Sequence, residues 1–395
     1  MAFTFISEQL SQQKKQTRYR QRICTNNCGD NLNHIIIEDK SYINFSSNDY
    51  LGLNNHPIIN SAMQEGVDRF GLCASASSLV TGYQYAHQSL EETICQWLNK
   101  PSCLLFSSGF SANLALFHAL GSTQAKSSNK VAFFLDKLSH ASMIDGAYQS
   151  QGAIKRFAHN DMTQLARFLA QAPEDTNKLI ASEGVFSMDG DIPPLPDIAK
   201  SCAEHNAWLM VDDAHGFGTL GKNGGGCVEH FGLGQDDVQV LVGTLGKAFG
   251  TAGAFVAGSE LLIETLIQNA RTYIYTTAMP PAIAAATRVS LKLLQTEHWR
   301  RERLAVLINR FRMGAGQLGY ELMDSSSPIQ PILIGSEEKA LKLAGWLEGQ
   351  GVLITAIRPP TVPKGTARLR VTFCAEHTEQ QVDRLLDLLD QAKSQ

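Results

Sequence analysis

Three short segments set reactive side chains directly after apolar runs. Val211-Asp212-Asp213-Ala214-His215 puts two carboxylates and an imidazole after the run Trp208 to Val211. An acid at a strand end often only caps the next helix. It can also hold a cationic heterocycle, because a nearby carboxylate keeps a pyridine nitrogen protonated. His215, three residues beyond Asp212, could face the same ligand. Thr244-Leu245-Gly246-Lys247 follows the run Val238 to Val242. Most lysines are solvated, but one set among small residues after a buried run could form a Schiff base with a carbonyl. Ser139-His140-Ala141-Ser142 follows the run ending at Leu135. A histidine there is either a structural hydrogen-bonder or a flat partner for a cofactor ring.

Two glycine-containing segments could cradle phosphate. Ser107-Ser108-Gly109-Phe110-Ser111-Ala112-Asn113 joins an apolar run to a helical stretch. The N–H groups and positive dipole end of a helix start suit an anion there. Gly216-Phe217-Gly218-Thr219-Leu220-Gly221 satisfies G-x-G-x-x-G formally, but it runs into Lys222 and Gly224-Gly225-Gly226 rather than opening a helix. A dinucleotide fingerprint must open one. Lys247 is not part of a phosphate loop of the Walker type, since Leu241 and Ala248 stand where Gly and Ser or Thr are needed.

These segments need a frame. Runs at Cys103 to Phe106, Val131 to Leu135, Leu179 to Glu183, Trp208 to Val211, Val238 to Val242 and Ala254 to Ala257 alternate with helical stretches. The pattern predicts an α/β fold, with a mostly parallel central sheet and helices on both faces. Ligands bind such sheets outside the carboxyl ends of the strands, where the reactive segments fall. A smaller C-terminal α+β domain is expected from strands near Ile332 to Ile334, Val352 to Thr355 and Ala367 to Thr372, with helices at 337–349 and 377–392. Residues 1–45 read as an arm and small-domain segment, 46–285 as the large domain and 286–395 as the C-terminal one. A helical arm over 5–22, a hairpin over 34–45 turning at Glu38 to Lys40, a helix over 86–99, a long helical stretch to about 318 and a surface loop over 121–130 complete the expectation.

Composition sets the limits. The 395 residues carry 34 basic and 38 acidic side chains, a formal net charge of −4, with 44% hydrophobic residues. Such a chain is neither disordered nor basic enough for a general nucleic-acid surface. No apolar run reaches the length of a membrane span, and the N-terminus lacks the charge pattern of a signal peptide. The expected compartment is the cytoplasm. Eight cysteines are scattered, and the close pair Cys24 and Cys28 has no second pair to complete a zinc pattern. Free thiols and no metal are expected.

Taken together, Asp212-x-x-His215, Thr244-x-x-Lys247 and Ser139-His140-Ala141-Ser142 resemble the α-oxoamine synthases, fold-type-I enzymes that use pyridoxal 5′-phosphate. Supporting segments are Phe45-Ser46-Ser47-Asn48-Asp49-Tyr50-Leu51-Gly52-Leu53, Glu183 to Asp191, Ala356 to Pro363 and Gly365 to Arg370. The resemblance covers about residues 5–392 and implies roles. Lys247 would hold the cofactor and move protons, Asp212 would pair with the ring nitrogen, and His140 would stack on the ring. His215 and Ser187 would contact the phenolic oxygen or the substrate carbonyl. Gly109, Phe110 and Thr244 would hold the phosphate. Thr276 and Thr277 would reach the phosphate of the other subunit of a homodimer. Arg358 would bind the carboxylate of L-alanine. Asn48, Thr361 and Arg20 (or its neighbour Arg22) would complete the substrate contacts. The implied reaction is acyl transfer in biotin biosynthesis, from pimeloyl-CoA or pimeloyl-acyl carrier protein. The segment Gly71 to Gly82 departs from the family, with Ser78 where arginine is common, so acyl selectivity is the property it would alter.

Overall fold

The computed structural model describes residues 2–15, 19–28, 33–122 and 130–393. Helix α1 (Phe5–Lys15) buries none of its residues and stops short of Arg20 and Arg22. Strands β1 (Asn26–Asn27), β2 (His34–Ile37) and β3 (Lys40–Asn44) follow. The β2–β3 hairpin turns as expected at Glu38 and Asp39, both with positive φ. Helices α2 (Pro57–Phe70) and α3 (Tyr85–Leu98) lead into the main sheet.

That sheet is built from β4 (Ser102–Phe106), β5 (Lys130–Asp136), β6 (Ala153–Phe157), β7 (Thr176–Glu183), β8 (Ala207–Asp212), β9 (Val240–Thr244) and β10 (Ala254–Gly258). Its order is β4-β10-β9-β8-β7-β5-β6. All neighbours pair in parallel except β10, which runs antiparallel to both β4 and β9. Strand side chains alternate between faces. Leu104 and Phe106 therefore join one core with α4 (Gly109–Ser122), α5 (Ala141–Gln149), α9 (Glu260–Asn269) and α10 (Arg271–Ile274). Cys103 and Leu105 join the other, with α3, α6 (Met162–Ala170), α7 (Leu195–Glu204) and α11 (Pro281–Thr296). Strand β6 is absent from the sequence expectation. It reads Ala-Ile-Lys-Arg-Phe on the sheet edge, with only Phe157 buried, so its apolar signal is weak.

The expected stretch to residue 318 is two helices, α11 and α12 (Trp299–Gln317). Beyond it, β11 (Ile329–Gly335), β13 (Thr355–Ile357) and β14 (Ala367–Thr372) form a three-stranded sheet. Strand β12 (Val352–Leu353) instead pairs in parallel with β3. Helices α13 (Glu337–Gly349) and α14 (Glu379–Ala392) cover this part. A Thr378–Gln381 capping box starts α14, and Val382, Leu385, Leu388 and Leu389 form its buried stripe. Most of the loop expected over 121–130 lies outside the described residues. All eight cysteines are free; Cys103, Cys202, Cys227 and Cys374 are buried, whereas Cys24 and Cys73 are exposed. Among the described residues no helix is long and apolar enough to cross a membrane.

The glycines at 216–226 have a packing cause. Residues 216–221 form turns before the short α8 (Gly226–His230), as their sequence anticipates. The fully buried Asp213 carboxylate accepts the Cys227 N–H at 2.6 Å. A Cβ at Gly184, Gly216 or Gly226 would collide with that carboxylate. Gly226 also sits at φ +78°. Gly226→Ala is expected to cost about 2–4 kcal/mol through overpacking and backbone strain, read as a lower midpoint of reversible urea unfolding.

Candidate functional site

The reactive segments meet at one edge of the main sheet. Strand β8 ends at Asp212 and leads to His215; β9 ends at Thr244 and leads to Lys247. Strand β5 leads to His140, which caps α5 by accepting the Ser142 N–H. Strand β4 leads to Gly109, the first residue of α4. Gly109, Phe110, His140, Asp212, His215, Thr244 and Lys247 all line one cavity of about 200 Å³. Each was singled out from sequence, and the fold brings all seven together.

Asp212 is buried and held in place. Asn113 Nδ2 donates to its Oδ2 at 2.7 Å, and the Ala214 N–H donates to Oδ1 at 3.2 Å. Asn113 also donates to Ser142 Oγ at 2.9 Å, and that hydroxyl lies 2.7 Å from His140 Nδ1. One chain of polar contacts therefore aligns the carboxylate and the flat ring. Lys247 Nζ stands 2.9 Å from His215 Nε2, and His215 Nδ1 stands 2.6 Å from the Tyr50 hydroxyl. Tyr50 donates in turn to Asn48 Oδ1 at 3.2 Å, which also accepts from Arg370 at 3.3 Å.

Burial dominates the electrostatics. It pushes the Lys247 ammonium down to about 8, against the attraction of Asp212 and Glu183 and with help from the Arg370 guanidinium. Burial, with the cations Lys247 and Arg370, holds His215 well below the usual imidazole value, so it is neutral. His140 is lowered by burial and by Lys247, with Asp212 opposing. Burial and the neighbouring Asp212 charge push Glu183 well above the usual carboxylate range.

Other residues singled out from sequence lie elsewhere. Ser187 stands beside the cavity, its carbonyl accepting Arg370 Nε at 2.6 Å. Thr276 and Thr277 line a separate small cavity with Ser107 and Tyr83. Arg358 is half-buried and Thr361 exposed, joined by a backbone hydrogen bond of 3.0 Å. Arg20 is exposed. Sequence reasoning assigned no role to Tyr50, Asn113, Ser142, Glu183 or Arg370. All five nevertheless stand inside segments singled out from sequence: Phe45 to Leu53, Ser107 to Asn113, Ser139 to Ser142, Glu183 to Asp191 and Gly365 to Arg370. Arg370 lies 322 residues from its partner Asn48, so their pairing leaves no local signal.

Residues 40–389 match the family described as aminotransferase class I and II. The chain belongs to this family. It is similar to 8-amino-7-oxononanoate synthase from Cellvibrio japonicus (strain Ueda107), with 52% identity over 97% of this chain and 94% of the relative. A serine palmitoyltransferase from S. paucimobilis, solved with a bound PLP–myriocin aldimine, superposes with a TM-score of 0.91 at 29% identity, covering 99% of this chain and 97% of that one. The 8-amino-7-oxononanoate synthase from Francisella tularensis gives 0.77 at 33% identity, covering 89% and 98%.

The cavity of this aminotransferase-family chain fits pyridoxal 5′-phosphate (PLP). The buried Asp212 carboxylate suits a protonated ring nitrogen. Lys247 can supply a neutral amine near neutral pH. At the start of α4 a Cβ on Gly109 would sit 2.5 Å from the Thr244 methyl, so only glycine lets the helix N–H groups come so near that threonine. In protein freed of cofactor, capture of PLP by Lys247 should accelerate as pH rises through about 8. Stopped-flow absorbance checks this; an inflection near the ordinary lysine value of about 10.4 would contradict it, and Lys247→Ala should show no capture.

Proposed function

We propose that this chain condenses L-alanine with a pimeloyl thioester to give 8-amino-7-oxononanoate, the PLP-dependent acyl transfer of biotin biosynthesis. The α-carbon of alanine bonds to the acyl carbonyl carbon, the C–S bond to the carrier breaks, and the alanine carboxyl leaves as CO2. The observation that carries the reading is the joint placement of Lys247, Asp212, His140 and His215 in one cavity. The near-full-length likeness to synthases of that name supports the choice of substrates.

When bound, PLP supplies an electron sink for charge at the amino-acid α-carbon. Asp212 would keep the ring nitrogen protonated, and His140 would lie on the ring face. Gly109 and Phe110 N–H groups with the Thr244 hydroxyl would hold the phosphate. Lys247 Nζ would take the α-proton and later return one; a pKa near 8 suits both directions. His215, neutral and held by Tyr50, would contact the phenolic oxygen or the substrate carbonyl together with Ser187. Arg358 would offer a two-pronged donor for the alanine carboxylate, and Asn48 would add a further substrate contact. Thr361 and Arg20 would meet the acyl substrate. Thr276 and Thr277 would reach the phosphate bound by a second copy of the chain, which makes the working form a homodimer.

Purified holoenzyme is to be mixed with L-alanine or glycine and with pimeloyl-CoA, pimeloyl-acyl carrier protein or acetyl-CoA, following CO2 and product by mass. The reading expects 8-amino-7-oxononanoate from L-alanine and a pimeloyl thioester. Preference for glycine with acetyl-CoA would overturn it. Asp212→Asn is expected to retain cofactor and lose kcat by about 100-fold or more, since the ring nitrogen loses its counter-charge. Near-normal turnover would refute that role.

A further inference from the structure

A second ionic cluster lies outside the cofactor cavity, and the chemistry above makes no use of it. It centres on His159, between β6 and α6. His159 Nδ1 lies 3.1 Å from Asp136 Oδ1, and Nε2 lies 2.9 Å from Asp191 Oδ2. A neutral imidazole has one N–H, so two carboxylate partners require both nitrogens to be protonated. Burial alone would lower this imidazole's pKa, but the hydrogen bonds and charges of Asp136 and Asp191 outweigh it and push it up to about 10. Asn160 doubles the bridge: its N–H donates to Asp136 Oδ2 at 2.9 Å and its Nδ2 to Asp191 Oδ2 at 3.0 Å. The Phe186 ring packs against the imidazole at right angles, with centroids 4.5 Å apart.

The two acids each shape a loop of the site. Asp136 ends β5. Its Oδ1 accepts the Leu138 N–H at 2.7 Å and its carbonyl accepts the Ser139 N–H at 3.1 Å, which forms the turn into His140. Asp191 closes the loop 186–191, its carbonyl accepting the Phe186 N–H at 3.0 Å. That loop carries Ser187, and its Asp189 pairs with Arg368 of β14.

We propose that His159 is a positioning residue: bridging Asp136 to Asp191, it holds the turn that presents His140 and the loop that presents Ser187 in one fixed relation beside the cofactor cavity. The proposal rests on the PLP reading of that cavity. A loss of this tie displaces the ring-stacking histidine and the Ser187 loop without touching Thr361 and Arg20, which would meet the acyl substrate.

The test compares wild type with His159→Phe, which keeps a ring and removes both N–H groups. PLP affinity, the visible spectrum of the bound cofactor, kcat, the KM for the acyl thioester and the thermal midpoint are measured for each. Wild type must first bind PLP and turn over; failure there counts against the functional reading and not the tie. His159→Phe is expected to bind PLP about tenfold more weakly, to shift the cofactor band and to lose kcat by about 10- to 100-fold. The KM for the acyl thioester should stay within about threefold. Adding Asp191→Asn should cost little more, because the two residues act as one unit. Unchanged PLP affinity, spectrum and kcat below the unfolding temperature would overturn the proposal, whatever thermal stability is lost. Should His159→Phe not fold, Asp191→Asn alone, at the 21% exposed end of the bridge, is judged by the same criteria.

Discussion

A lysine amine can act as nucleophile and base near neutral pH only if its surroundings disfavour the ammonium form. The chain meets this by setting Lys247 three residues past a strand buried over Val240 to Gly243, in a cavity whose other lining residues include Phe110, His140, Asp212 and His215. The same burial would strand the positive charge, and Asp212 and Glu183 limit that cost. The two acids are held differently. Asp212 accepts hydrogen bonds from Asn113 and Ala214, whereas Glu183 is driven towards its neutral form by burial and by Asp212 itself. The parallel pairing of Glu183 with Asp212 across β7 and β8 thus sets side by side two acids whose surroundings differ.

The site is also assembled from parts distant in the chain. Asn48 and Tyr50 come from the segment after β3, and Arg370 comes from β14. Arg370 reaches the Ser187 carbonyl and Asn48 together, so the C-terminal sheet is tied to both the cavity loop and the N-terminal segment. Arg368 and Asp189 repeat the tie one register step away. The Gly184 to Asp191 loop is consequently gripped from both sides, by β14 and by His159.

The strands with continuous apolar runs were legible in sequence because both faces of a central parallel strand are buried. Edge strand β6 was not, since burial on one side leaves Lys155 and Arg156 in its pattern. Within the site, Lys247, Asp212, His215 and His140 were legible because each follows such a run at short spacing. Tyr50, Glu183 and Arg370 lay in segments that supported the resemblance, but their roles were not legible. Their types fit a core or a surface equally well, and only the folded register brings them to the cavity. Arg20, at the other extreme, was named by resemblance and lies exposed beyond the end of α1.

The central claim is that one lysine, Lys247, carries the cofactor in this cavity. Borohydride reduction of the coloured holoenzyme, followed by peptide mapping by mass, tests it directly. The account predicts loss of colour and a single pyridoxyl-phosphate adduct on Lys247. A colourless protein, or an adduct confined to other lysines, would contradict it.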